Sequence, residues 1–225
     1  MRKSLYLFFA LVATLATGAF AGPASAAVLT VPPPSDRIVI DVITVNGTGC
    51  PAGTAAIAMS PDNTAFTVTY SAYTALVGVG ATSTDFRKNC QLNLVVHVPS
   101  GFTYAINKVD YRGFASIVKG ASATERANYY FQGMSQTAYV SHTFSGPKSD
   151  DWQTSDEVPL ASLVWSPCGA LRNLNINTEL RVAAGTSDTK KTTSFISMDS
   201  TDGSITTTYH FSWKQCPVTT PKKNA

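Results

Sequence analysis

RNLNINTELRV, residues 172–182, decides the fold class. Leu174, Ile176, Leu180 and Val182 alternate with Asn173, Asn175, Asn177, Glu179 and Arg181. A β-strand satisfies this period of two with one face buried and the other wet. The pattern recurs on both sides of the segment. In residues 91–98, Leu92, Leu94, Val96 and Val98 share one face while Gln91, Asn93 and His97 share the other, and Pro99-Ser100-Gly101 turns the chain into a further strand from Phe102. Residues 55–60 and 66–70 flank Pro61-Asp62-Asn63 as a hairpin, since Pro presets φ and the Asx side chains bond their own backbone. Residues 195–199 and 205–213 flank Thr201-Asp202-Gly203 as a second hairpin, with Ile205, Thr207, Tyr209, Phe211 and Trp213 on its inner face. Residues 38–45 (IVIDVITV) form a nearly continuous β-branched run, the pattern of a strand covered on both faces. Residues 128–134 and 136–144 read as strands, and 160–165 as a short buried run. Some ten strands without intervening helices specify an all-β antiparallel sandwich.

The 225 residues are 44% hydrophobic and 14% charged, enough for one sizeable core, so a single domain is expected. A mean hydropathy of +0.04 excludes a disordered chain. Arg2 and Lys3, the apolar residues 5–16 and the Ala24-Ser25-Ala26 site together read as a secretory signal peptide over 1–26, with Ala19-Phe20-Ala21 as the competing cleavage site. An extended Pro-rich leader follows over 27–35, then the sandwich domain over 36–216 and a disordered tail over 217–225. Removing Arg2 and Lys3 from 17 basic residues leaves 15 against 14 acidic ones, a near-neutral chain unsuited to nucleic acid. No apolar run past the signal is long enough for a membrane span.

Four cysteines, Cys50, Cys90, Cys168 and Cys216, lie in the exported part, where an even number implies two disulfides. No two are close enough in sequence for a zinc site. Of the three possible pairings, Cys50 with Cys90 and Cys168 with Cys216 ties strands within each half of the chain.

Several segments together resemble one family. They are NGTGCPAGTA (46–55), SPDNTAFTVTYSAY (60–73), KNCQLNLVVHVPSGFTYAI (88–106), DYRGFASIVKG (110–120), NYYFQGM (128–134) and SPCGALRNLNINTELRV (166–182). The chain resembles the small secreted proteins of domain-of-unknown-function family 4360. The resemblance covers nearly the whole exported part and implies an extracellular single-domain protein. It transfers no catalytic residues, and it places all four cysteines in the family pattern.

No H-E-x-x-H, G-x-S-x-G or P-loop segment is present. His97, His142 and His210 fall inside predicted strands without ligand spacing, so neither metal nor cofactor is expected. Asp110, Glu125, Asp150, Asp151, Asp156, Glu157 and Glu179 are the carboxylates from which a glycosidase pair could be drawn. Asp110 and Arg112 are expected to pair with each other or with neighbours. The long polar stretches 120–127 and 145–157 read as functional loops.

Binding is favoured over catalysis by two features. Asparagine is depleted in strands, yet Asn173, Asn175 and Asn177 repeat on one face, where amides suit sugar hydroxyls. Tyr129, Tyr130, Phe131 and Trp152 lie in or beside the polar stretches, and Tyr129 and Trp152 are the aromatic platforms assigned to the site. The expected partner is an extracellular polysaccharide or a secreted or surface protein. The alternative is a carbohydrate-active hydrolase using Asp150, Asp151, Asp156 and Glu157. Asn46-Gly47-Thr48 is a glycosylation sequon.

Overall fold

A computed structural model describes residues 29–135, 139–198 and 206–217. Its strands form two antiparallel sheets. The five-stranded sheet runs in the spatial order β1 (Val39–Asn46), β5 (Arg87–His97), β10 (Leu174–Ala183), β7 (Ser122–Phe131) and β8 (Val140–Ser145). The seven-stranded sheet holds β2 (Ala55–Met59), β3 (Ala65–Tyr70), β12 (Thr207–Gln215), β6 (Phe102–Ile117), β11 (Thr193–Ser197) and β4 (Thr74–Gly78), with β9 (Lys148–Glu157) also on β6. The core lies between them and draws on both: Leu92, Leu94, Ile176 and Leu180 from one sheet, Phe66, Val68, Tyr209 and Trp213 from the other. Burying each such side chain contributes roughly 1.5–3 kcal/mol. Among the described residues no helix is long and apolar enough to cross a membrane.

The alternation of 172–182 is realised as β10, at the centre of the five-stranded sheet. The hairpin around residues 61–64 forms as β2 and β3. Disulfides join Cys50 to Cys90 and Cys168 to Cys216.

Five expectations are corrected. Residues 38–45 are not covered on both faces: β1 is an edge strand paired with β5, and Val39, Val42 and Ile43 are exposed. The stretch 120–127 is the start of β7, and 145–157 is mostly β9; ten residues of β9 pair with ten of β6, so the ladder overrides a polar composition. Residues 160–165 hold a 3₁₀ turn, Leu160–Ser162, and leave Leu160 and Val164 exposed. The hairpin joining 195–199 to 205–213 does not form. β12 pairs with residues 102–110 of β6 and β11 with 114–116, while β9 pairs with 108–117. A strand has two edges, so β9 takes one and β11 and β12 run the same way along the other. The turn proposed between them, Ile205 of the expected inner face and the tail after residue 217 lie outside the described residues. The inward set Thr207, Tyr209, Phe211 and Trp213 is buried as read.

Gly113 on β6 lets the aromatic packing close. A Cβ there would lie 2.0 Å from the Ser197 carbonyl oxygen and 2.5 Å from the Trp152 ring.

Candidate functional site

Because β10 is central and alternates strictly, its odd-numbered residues face away from the core in one row. Register then sets their neighbours. Asn175 lies between Asn93 of β5 and Tyr130 of β7, Asn177 between Gln91 and Asn128, Glu179 between Asn89 and Arg126, and Arg181 between Arg87 and Thr124. The outer face therefore changes along the strands from carboxamides to guanidiniums.

The carboxamides form a ladder. Asn173 Nδ2 donates to Asn93 Oδ1 at 2.6 Å, Asn93 Nδ2 to Asn175 Oδ1 at 2.7 Å, and Asn177 Nδ2 to Asn128 Oδ1 at 3.2 Å. An amide carries two donors and an acceptor oxygen, so Asn175 Nδ2 and Asn177 Oδ1 stand outside these pairs. They border a concavity of about 310 Å³ lined by Thr44, Gln91, Asn93, Asn175, Asn177, Tyr130 and Tyr139. The Arg126 guanidinium sits 4.7 Å from the Tyr139 ring centroid, within cation–π range.

At the other end three arginines surround Glu179, whose side chain is 5% exposed. Arg87 Nε donates to Oε2, while Arg126 Nε and Arg181 Nη2 lie 3.0 and 3.1 Å from Oε1 as charge contacts rather than aligned hydrogen bonds. Partial burial opposes the charge on Glu179, but Arg87 and Arg126 outweigh it and hold the carboxyl below the ordinary glutamate value.

The inner face carries a second polar cluster. Glu125 of β7 is fully buried, and neither carboxyl oxygen has a hydrogen-bond partner. Burial, and then the neighbouring Asp156 carboxylate, push its carboxyl well above the usual range. Its register partner His142 places Nε2 2.6 Å from Asp156 Oδ1, and Tyr111 donates to Asp156 Oδ2 at 3.2 Å. A raised carboxyl beside a second one is the pairing a glycosidase needs, yet Glu125 has no surface to offer a substrate.

The other sequence-derived candidates fall as follows. Tyr129 and Trp152 are 8% and 4% exposed and belong to the core, with Trp152 packed 5.2 Å from Phe144, so neither offers a ring to the outer face. Tyr130, one residue on, faces outward in place of Tyr129. On β9, Asp150, Asp151 and Glu157 are exposed while Asp156 is buried, which leaves these four carboxylates ungathered. Asp110 is engaged by Lys108, Ser155 and His210 rather than by Arg112. Each histidine meets a different aspartate: His97 with Asp41, His142 with Asp156, His210 with Asp110. Among the described residues no three His, Cys, Asp or Glu side chains gather as a metal site. Sequence reasoning missed Asn93, Gln91 and Asn128 as partners of the β10 amides, and it missed the arginine end. Period two had marked Gln91 and Asn93 as an outer face, but strand order alone brings them beside β10.

A family model described as Domain of unknown function (DUF4360) matches residues 36–216. A protein of Arthroderma benhamiae, described as an uncharacterized secreted protein, is 38% identical over 184 residues, covering 82% of this chain and 74% of its own. Two solved structures show a weaker likeness. The enzymatically active domain of bacteriophage CBA120 tailspike protein 4 has a TM-score of 0.23 at 11% identity, over 77% of this chain and 19% of that one. The Cowpea Mosaic Virus empty virus-like particle has a TM-score of 0.23 at 12% identity, over 88% of this chain and 86% of that one. Values this low carry no inference about fold or function. With the family model spanning residues 36 to 216 and a secreted relative alike over most of both chains, this chain is a secreted protein and belongs to the DUF4360 family.

Proposed function

We propose that the protein is a non-catalytic extracellular binding domain whose outer five-stranded face takes a polysaccharide. One observation carries the reading: the amide ladder of Asn173, Asn93, Asn175, Asn177 and Asn128 spans three adjacent strands. Amides held in place by one another lose little freedom when a ligand docks, and the Asn175 Nδ2 donor and Asn177 Oδ1 acceptor that stand outside the ladder pairs match hydroxyls. Tyr130 and Tyr139 edge the same concavity and supply apolar ring faces with a polar end.

The test is retention of the secreted protein on insoluble chitin, β-glucan and cell-wall material. Asn175→Ala and Tyr130→Ala should each weaken retention by about tenfold, about 1.4 kcal/mol. Wild-type protein that ignores every polysaccharide would refute the reading and favour a protein partner. Release of reducing sugar would promote the hydrolase alternative.

A further inference from the structure

We propose that the arginine end of the outer face is a carboxylate subsite, and that the polymer this face takes is an acidic polysaccharide of the polyuronate class. The inference rests on the glycan reading above and gives its ligand a charge.

Three guanidiniums converge on one carboxylate here. Arg87 and Arg181 are direct register partners, and Arg126 faces Glu179 from the opposite neighbour. Their side chains are 48%, 48% and 34% exposed, whereas that of Glu179 is 5% exposed. Three guanidiniums offer about fifteen N–H donors, and one carboxylate accepts at about four lone-pair sites. Arg126 Nε is itself buried without an aligned acceptor.

Three positive charges against one leave a local surplus of two. The other carboxylates of this sheet do not cancel it: Asp41 is held by His97 at 2.7 Å, and Glu125 is on the inner face. Asp85, just before β5, is taken by Lys88 Nζ and the Thr82 amide, both at 2.8 Å. With the expected signal residues Arg2 and Lys3 set aside, the rest of the chain has 15 basic and 14 acidic residues, so the surplus belongs to the site.

Geometry selects the ligand class. Six residues separate Asn175 from Arg181, about 20 Å along the strand. One strip therefore sets hydroxyl-matching amides at one end and carboxylate-matching forks at the other. A polymer that repeats hydroxyls and carboxylates along its length meets both at once. The planar guanidinium suits a carboxylate, and these arginines already contact one.

The experiment compares binding of polygalacturonate with that of its methyl-esterified form, which keeps the chain and hydroxyls but removes the charge. Wild-type protein should bind the acid form at least about tenfold more tightly, and the preference should shrink as salt rises. Arg181→Gln should lose most of that preference. Arg87→Gln is the second variant should Arg181→Gln melt early. Lys190→Gln removes the same charge from an exposed turn and should bind like wild type. Equal binding of the two forms overturns the carboxylate subsite and leaves the glycan reading standing. Equal losses in Arg181→Gln and Lys190→Gln also overturn it, since net charge then suffices. Failure to bind these and every other polysaccharide removes the glycan reading, and the subsite with it.

Discussion

Deleting each disulfide separately should separate what a bridge contributes through the unfolded chain from what it contributes through packing. The perturbations are the paired replacements Cys50→Ala with Cys90→Ala, and Cys168→Ala with Cys216→Ala. The bridged positions are 40 and 48 residues apart, for which lost denatured-state entropy is worth about 4 kcal/mol in either case. The environments differ. Cys50 and Cys90 are 0% and 1% exposed and sit within the hydrophobic core, whereas Cys168 is exposed and Cys216 half-buried. Removing two core sulfurs adds roughly 1–2 kcal/mol of lost contact and cavity. The inner pair should therefore cost about 5–6 kcal/mol and the outer about 4. At about 2–4 °C per kcal/mol for a domain of this size, the outer replacement should lower Tm by roughly 8–16 °C and the inner one by more. Calorimetry measures this, and alkylation mass mapping under a mild reductant supplies the kinetic counterpart: Cys168–Cys216 should open first, because thiolate attack needs access. An outer replacement that costs as much as the inner one, or first opening at Cys50–Cys90, would refute the reasoning.

Two further predictions concern the two faces of the five-stranded sheet. The folded protein keeps a proton on Glu125 that the unfolded chain releases above about pH 4.5, so its contribution is complete at low pH and is lost as pH rises through the raised value. Glu125→Gln should then gain on wild type with rising pH by at most about 1.4 kcal/mol per pH unit, in denaturant titrations across the acid-to-neutral range; a difference independent of pH, despite His142 on β8, Asp156 on β9, Tyr111 on β6, Tyr209 on β12 and Tyr70 on β3 nearby, would contradict it. Ile176→Ala should cost roughly 2–5 kcal/mol by opening a cavity, and Asn175→Ala about 0.5–1.5 kcal/mol because the Asn93 amide loses its acceptor; equal costs would mean the two faces are misassigned.

The fold class was legible wherever one face of a strand is dry and the other wet, as on β10, β5 and the β2–β3 hairpin. Elsewhere the residues were ambiguous for physical reasons. IVIDVITV carries no period of two, so its apolar content reads as burial on both sides, although the strand is an edge. KSDDWQTSDE has a loop-like composition and becomes β9 because sixteen residues of β6 offer it a partner. Within NYYF it is Tyr130 that faces outward, where Tyr129 was expected as a platform, for a related reason. On β7 the inward positions are Ala123, Glu125, Ala127, Tyr129 and Phe131, and a carboxylate in that row hides the alternation that would have turned Tyr130 outward. The Asn face of the candidate site was readable because amides are rare in strands. Its arginines were not, since Arg87, Arg126 and Arg181 are up to 94 residues apart in sequence and meet through strand order alone.

The order of strands in space has a consequence for how the chain matures. The centre of one sheet is β10 and β12 lies inside the other, so both sheets are completed by segments from the last quarter of the sequence. A nascent or partly exported chain ending before residue 174 holds β5 without β10, and β3 and β6 without β12. Its apolar rows then have no lasting cover, and long-range antiparallel pairing of this kind is slow to form. Both sheets can therefore close only once residues 174–215 are present, and the Cys168–Cys216 bridge can form only after those strands have been made.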